Sequence, residues 1–273
     1  MASADPLARR RDAACQIHPT AVVSPRAALG SGVRVEAYAV IRDHVVVGDG
    51  TWIGPHVVIE EWTSLGRDCR VHPGAVLGGV PQDRHFRGER SYLRIGDRVV
   101  LREYVSVSRA TGEEAATVVG DDTQILAYSH AGHNCQIGRA VLITNGCQLG
   151  GHVVVEDRAV LGGMVGVLQF VHIGTLAMVG GLTRIVQDIL PYMLVSGSPP
   201  RAVSVNRVGL ERAGVPGETQ EKLRRAHRLL VRSGLDVSRA VARIQAEIPP
   251  CPEIEHLLAF IRGSQSRGTG IAR

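Results

Sequence analysis

Aliphatic residues recur at every sixth position through most of this chain. The series opens with Ile17, Val23, Leu29, Val35, Ile41, Val47, Ile53, Ile59, Leu65, Val71 and Leu77. It resumes in the same frame at Ile95, Leu101 and Val107, and again at Val119 and Ile125. From Ile137 it runs through Ile143, Leu149, Val155, Leu161, Val167, Ile173, Val179 and Ile185, with Ala131 as a weak rung. Four positions after each aliphatic residue comes a small or β-branched one, as at Ala21, Val33, Ala39, Thr51, Thr63, Cys69 and Ala75. A period of six matches no single face of a helix with 3.6 residues per turn, so one long helix is excluded.

Short strands joined by tight turns satisfy the pattern. Each repeat sends one aliphatic side chain into a triangular prism, and three repeats close one coil. The expected fold is an all-β left-handed parallel β-helix built on a hexapeptide repeat, each coil covering the apolar face of the next. Glycines directly after the aliphatic position, as in Leu29-Gly30, Val47-Gly48, Ile53-Gly54 and Leu65-Gly66, are expected to tolerate the backbone where it turns. Segments 78–94 and 108–117 leave the frame and return to it, so they are expected as loops ejected from coils. Loops on a rigid scaffold are where binding residues collect.

The repeat ends near Pro191. Beyond it, Leu223, Ala226, Leu229 and Leu230 stand at helical spacing within residues 217–233, and helical signals recur over 236–248 and 252–261, with Asp236 and Pro252 as starts. The chain therefore divides into an N-terminal tail (1–15, expected to be mobile), a β-helix (16–190) and a helical C-terminal domain (191–273). Lys222, Arg224, Arg225, His227, Arg228 and Arg232 are expected on the outer faces of that domain.

Composition sharpens this reading. Of 273 residues only 4% are aromatic, while 32 are glycine, which fits a narrow core of Val, Ile, Leu and Ala rather than an ordinary globular one. The formal net charge of +5 suits an acidic partner. The basic C-terminal stretch lacks interleaved aromatics, which disfavours nucleic acid. Cys15, Cys69, Cys135, Cys147 and Cys251 form no CxxC pair and are expected as reduced thiols in a cytoplasmic protein. Arg9, Arg10 and Arg11 precede no apolar run, so no signal peptide is expected, and no stretch is long and apolar enough for stable membrane insertion.

Several segments carry a more specific signal: Pro81-Gln82-Asp83-Arg84-His85-Phe86-Arg87-Gly88-Glu89, Ser129-His130-Ala131-Gly132-His133-Asn134-Cys135, Gly162-Gly163-Met164 and Gln169-Phe170. With these and the helical C-terminus, the chain resembles the UDP-N-acetylglucosamine acyltransferases, which open lipid A biosynthesis, from about Ile17 to its end. The resemblance implies a homotrimer with active sites between adjacent subunits, and acyl transfer from acyl carrier protein to the 3-hydroxyl of a UDP-sugar. It places the general base at His133. Imidazole titrates near the working pH range, as activating a hydroxyl requires. It further implies that Gln82, Asp83 and His85 hold the nucleotide sugar, that His130 and His152 line the cleft with Asn134 and Gln169, and that Asn206 and Arg212 contact nucleotide or carrier arm. Gly181 falls at the end of the acyl-chain channel, and Gly146 is the expected oxyanion donor. No cofactor or metal is expected, because the thioester is already activated.

The chain departs from the family pattern at four positions. Asn134 stands where Asp usually follows the base, His85 replaces the usual loop Lys, Leu168 replaces a His, and Ala213 replaces the second of two Arg. A neutral amide can orient an imidazole but cannot stabilise imidazolium as a carboxylate does. Three alternatives therefore stand beside O-acyl transfer: N-acylation of a 3-amino nucleotide sugar, zinc chemistry of the γ-carbonic anhydrase kind on His130, His133 and His152, and a non-catalytic paralogue that binds carrier protein or sugar nucleotide.

Overall fold

A computed structural model describes residues 14–273; all but the last two residues of the expected N-terminal tail lie outside them. The chain winds as a left-handed parallel β-helix with three faces. The first face, an 11-stranded sheet, begins at Gln16–Ile17; the second, 9-stranded, at Val22–Val23; the third, 8-stranded, at Ala28–Leu29. Register is uniform: Arg34 pairs with Trp52 and Val35 with Ile53, so each uninterrupted coil lies 18 residues above the last.

The six-residue period becomes the core. Ile41, Ile53, Ile59, Leu77, Leu101, Ile125, Ile143 and Leu161 are at most 1% exposed. Each such side chain contributes about 1.5–3 kcal/mol relative to exposure. The first coil has no coil beneath it among the described residues, and Ile17 is 47% exposed. Polar residues at the small position are satisfied internally: Thr51 Oγ1 donates to the Gly66 carbonyl at 2.9 Å and accepts from the Cys69 amide at 3.0 Å.

The glycines after the aliphatic residue differ from expectation. Gly48 has an ordinary φ, but a Cβ there would lie 2.5 Å from the Gly66 carbonyl carbon, so its smallness serves the approach of coils. The left-handed conformation falls two residues later and is adopted mostly by other residues, among them Tyr38, His56, Asn134 and His152. Such positions cost about 1 kcal/mol each. Their amides are bonded to the coil below, as His152 N–H donates to the His133 carbonyl at 2.9 Å.

The interruptions are narrower than the sequence implied. Strands Val76–Gly79 and Tyr92–Ile95 bound a loop over 80–91, and Ser106–Ser108 and Ala116–Val119 bound another over 109–115. Both leave at the corner between the second and third faces.

Past residue 190 the chain adds a hairpin, Met193–Ser196 with Arg201–Val205, to the first face before turning helical. Helices α1 (Arg207–Arg212), α2 (Gly217–His227, continued by a π-helical turn Arg228–Arg232), α3 (Val237–Glu247) and α4 (Pro252–Arg267) follow. The Asp236 side chain caps α3 by accepting from the Arg239 amide at 2.8 Å. The end of α4 is pinned to the prism: Arg267 donates to fully buried Asp188 at 2.8 Å. Among the basic residues expected outside, His227 is instead buried, with Nε2 2.9 Å from the Ala202 carbonyl oxygen, because that face of α2 packs on the hairpin. No helix among the described residues is long and apolar enough to cross a membrane, and all five cysteines are free.

Candidate active site

His133 sits in the turn after strand His130–Ala131, at the corner that ejects both loops. Loop 109–115 lies one coil below it and loop 80–91 two coils below. Repeat register therefore stacks these three segments along one edge.

The imidazole of His133 is held from behind. Its Nδ1 lies 2.9 Å from Asn134 Oδ1. The Asn134 amide is itself oriented by the loop below, accepting from the Thr111 N–H at 2.9 Å and donating through Nδ2 to the Thr111 carbonyl at 3.0 Å. That pair of bonds fixes which end of the amide is oxygen. Nδ1 must then be the protonated nitrogen, and Nε2 carries the lone pair. Asp83, from loop 80–91, places Oδ2 3.9 Å from the same Nδ1. Its Oδ1 accepts from the His85 N–H at 3.0 Å and lies 3.0 Å from His85 Nδ1. The His85 amide, then the Thr111 and His85 side chains and the His133 ring, hold the Asp83 carboxyl down at about 2 against partial desolvation.

Beside His133 Nε2 the next coil is bare. A Cβ on Gly151 would lie only 2.4 Å from that nitrogen. The outer column of the second face runs Ser106, His130, Gln148, Gly166, Arg184, each paired with the next in parallel register. This column and the His133 corner form a cleft of about 560 Å³ lined by Gln82, Ser108, His130, His133, Gln148, Leu168, Gln169 and Arg184. His130 Nδ1 lies 2.8 Å from Ser106 Oγ, and burial pushes its titration down. His152 packs edge-on to His133 with centroids 5.1 Å apart and stacks on Phe170 at 4.8 Å; burial and then the neighbouring His133 lower it too. Two neutral-leaning imidazoles thus flank a third that faces a carboxylate.

Of the residues singled out from sequence, Gln82, His130, His133 and Gln169 meet in this cleft. Asp83 and Asn134 stand behind His133, and His85 caps Asp83 with its own side chain 83% exposed. Leu168 gives the cleft an apolar wall in place of an imidazole.

Asn206 does not reach the cleft of its own subunit. Its Oδ1 accepts from the Gly209 amide to cap α1, and its Nδ2 donates to the Leu176 carbonyl at 2.8 Å. Arg212 ends α1, likewise apart from it. Gly181 lies at the corner between the first and second faces, where a Cβ would come 3.1 Å from the Gly163 carbonyl oxygen. Gly146 shares that corner, and its amide already donates to the Ala127 carbonyl at 2.9 Å, so the expectation of an oxyanion donor there is corrected. Gly151, not Gly146, is the glycine that lies flat against the His133 ring.

Sequence reasoning missed Gln148 and Arg184, which the register alone could have found one coil and three coils above His130. It also missed Thr111, for which no repeat signal exists. Among the described residues no three His, Cys, Asp or Glu side chains of one subunit converge as a metal-binding group.

Residues 188–271 match the family model described as UDP N-acetylglucosamine O-acyltransferase, domain 2, and residues 44–79 and 116–151 match the bacterial transferase hexapeptide. An acyl-[acyl-carrier-protein]–UDP-N-acetylglucosamine O-acyltransferase of Syntrophobacter fumaroxidans is 43% identical over 255 residues, covering 93% of this chain and 98% of its own. That of Verminephrobacter eiseniae is 43% identical over 94% and 99%. The crystal structure of a UDP-N-acetylglucosamine acyltransferase from Bacteroides fragilis superposes with a TM-score of 0.90 at 32% identity, covering 94% of this chain and all of that one (100%).

Proposed function

The chain belongs to the UDP-N-acetylglucosamine O-acyltransferase family, and from that premise we propose that it moves an acyl group from the thioester of acyl carrier protein to the 3-hydroxyl of UDP-N-acetylglucosamine, the first step of lipid A biosynthesis, with His133 as general base. The cytoplasm is its proposed place of action, which the five free cysteines fit. The observation that carries the assignment of the base is the fixed tautomer of His133. With Nδ1–H directed at Asn134 Oδ1, the Nε2 lone pair faces the cleft beside Gly151.

In this reading Nε2 takes the proton as the sugar oxygen attacks the thioester carbonyl. The new C–O bond forms a tetrahedral oxyanion. Its collapse breaks the C–S bond, and the leaving thiolate of the carrier arm recovers the proton from His133. The protein then has nothing to supply beyond proton transfer, positioning and charge stabilisation.

Two further features support the partners. Along the corner between the first and second faces, Tyr38, Tyr104, Tyr128, Met164 and Leu182 are 57–74% exposed, an apolar ridge that a second and third copy would cover in a homotrimer. Arg207, Arg224, Arg228 and Arg232 line a basic hollow on the helical domain that would attract an acidic carrier protein.

The test is transfer from a panel of 3-hydroxyacyl carrier proteins to UDP-N-acetylglucosamine and to its 3-amino analogue, with His133→Ala alongside. Turnover on the hydroxyl acceptor that is lost in His133→Ala is the expected result. Turnover confined to the amine would replace O- by N-acylation. Binding without turnover on either acceptor would leave a non-catalytic paralogue.

A further inference from the structure

We propose that Asp83 supplies, from across the corner, the carboxylate support that His133 lacks next to it in sequence, while Asn134 is required as an amide to hold loop 109–115. The inference rests on the acyltransferase reading above and assigns a positioning residue to it.

Two pieces of geometry carry it. The first is the clamp between Asn134 and Thr111. One bond needs an acceptor at position 134 and the other needs a donor. A carboxylate there would keep the first and turn a bare oxygen on the Thr111 carbonyl in place of the second. Leaving such a pair unmatched is costly in a part-buried site. The second is Asp83 itself. Among the described residues it is the carboxylate within 4.0 Å of the His133 ring, with its Oδ2 turned to Nδ1 and its Oδ1 occupied by His85.

The other titratable groups facing His133 among the described residues are His130 on the second face and His152 on the coil above, with Arg184 farther along the same cleft. None of these can supply negative charge. When Nε2 takes the acceptor's proton, Asp83 is the carboxylate of the same subunit placed to balance the positive charge on the ring. Asp83 takes up no proton itself, and the proton still leaves with the thiol. Asn134 keeps the ring in the reactive tautomer throughout.

The experiment compares Asp83→Asn, Asn134→Asp and the double variant. The readouts are the NMR titration of the His133 ring in the substrate-free protein, assigned by its loss in His133→Gln, and kcat against pH. In Asp83→Asn the ring should titrate at lower pH than in the wild type. Its kcat should fall roughly ten- to hundred-fold, the scale of a general base weakened in place, with the acid limb of the profile moving the same way. Asn134→Asp should lose activity and thermal stability rather than gain either. In the Asp83→Asn background it should return the ring's titration towards wild type.

An unmoved titration in Asp83→Asn, or an active and stable Asn134→Asp, overturns the proposal. Because the titration needs no substrate, it is separable from the assignment of function. A moved titration in a protein that turns over neither acceptor supports the pairing and overturns the acyltransferase reading.

Discussion

Gly151 is the sharpest place to probe the proposed base. The backbone of Gly151 is not left-handed, so Gly151→Ala is compatible with the local fold. What the new methyl meets is His133: an ideal Cβ would stand 2.4 Å from Nε2, 2.6 Å from Cε1 and 3.0 Å from Cδ2. Ordinary contact begins near 3.4 Å, so the ring must retreat by about 1 Å. The bond to Asn134, itself clamped by Thr111, resists that retreat. A catalytic group misplaced by about 1 Å costs on the order of a hundredfold in rate, or about 2.7 kcal/mol of transition-state stabilisation. The stability of the coil should hold or fall slightly, since the forced retreat of the ring offsets the about 0.4–1 kcal/mol that Ala in place of Gly gains by restricting the unfolded chain. Single-turnover release of the carrier thiol, measured beside a melting curve, separates the two effects. Gly217→Ala is the control, since nothing lies within 4 Å of a Cβ there and the site is remote. A Gly151→Ala enzyme within about twofold of wild-type kcat would refute the placement of the reactive nitrogen against that coil.

The junction between prism and helical domain should respond to pH. Glu156 accepts from the Thr175 amide at 2.7 Å and lies 3.1 Å from His256 Nε2, while His256 Nδ1 is 2.8 Å from the Tyr192 hydroxyl oxygen. Burial pushes the Glu156 carboxyl up, but its bonds to His256 and Thr175 outweigh that and lower it, and the Glu156 bond raises His256. Stability from the raised imidazole is complete below its ordinary value of about 6.5 and is lost as pH climbs through the raised one; that from the lowered carboxyl appears above about 4.3. The Tm gap between wild type and His256→Gln should therefore be widest near pH 5–6 (about midway between those limits) and close towards pH 8.5 (about two units above the upper one); a gap flat across that range would contradict the linkage. In the prism, Gly48→Ala drives a methyl to 2.5 Å from the Gly66 carbonyl carbon. It should cost about 1–3 kcal/mol, read as a lowered urea midpoint, and an unchanged midpoint would show that the coils can part there. Leu182→Asp puts a charge on the ridge where Leu182 is 74% exposed. Light scattering should then report monomers with an intact circular dichroism spectrum, and a persisting trimer would place the subunit interface elsewhere.

What the sequence made legible follows from how a coil stores information. One inward side chain per six residues is a local signal, so Ile41, Ile143 and Leu161 could be assigned to the core with nothing known of the rest. Contacts between uninterrupted coils are legible by counting: His130 meets Gln148, and His133 meets Gly151, because 18 residues separate each pair. Counting fails wherever a loop is ejected. Ser106 lies 24 residues from His130, and Thr111 23 residues from Asn134, yet each pair is bonded. The Asp83–His133 approach spans both loops, so no repeat arithmetic predicts it. Gly146 misled for a related reason. A glycine in a turn signals only that a Cβ is unwelcome; which neighbour would object depends on the corner, and at Gly146 that neighbour is Met164 rather than the base. His227 misled because a helix shows its polar face only relative to what it packs on, here the hairpin that the repeat did not foretell. The active corner thus combines two codes. The repeat fixes where His133 and Gly151 stand, and the two insertions decide which amide and which carboxylate reach them. Substitutions in the insertions should therefore tune the base while the melting temperature of the prism stays close to that of the wild type.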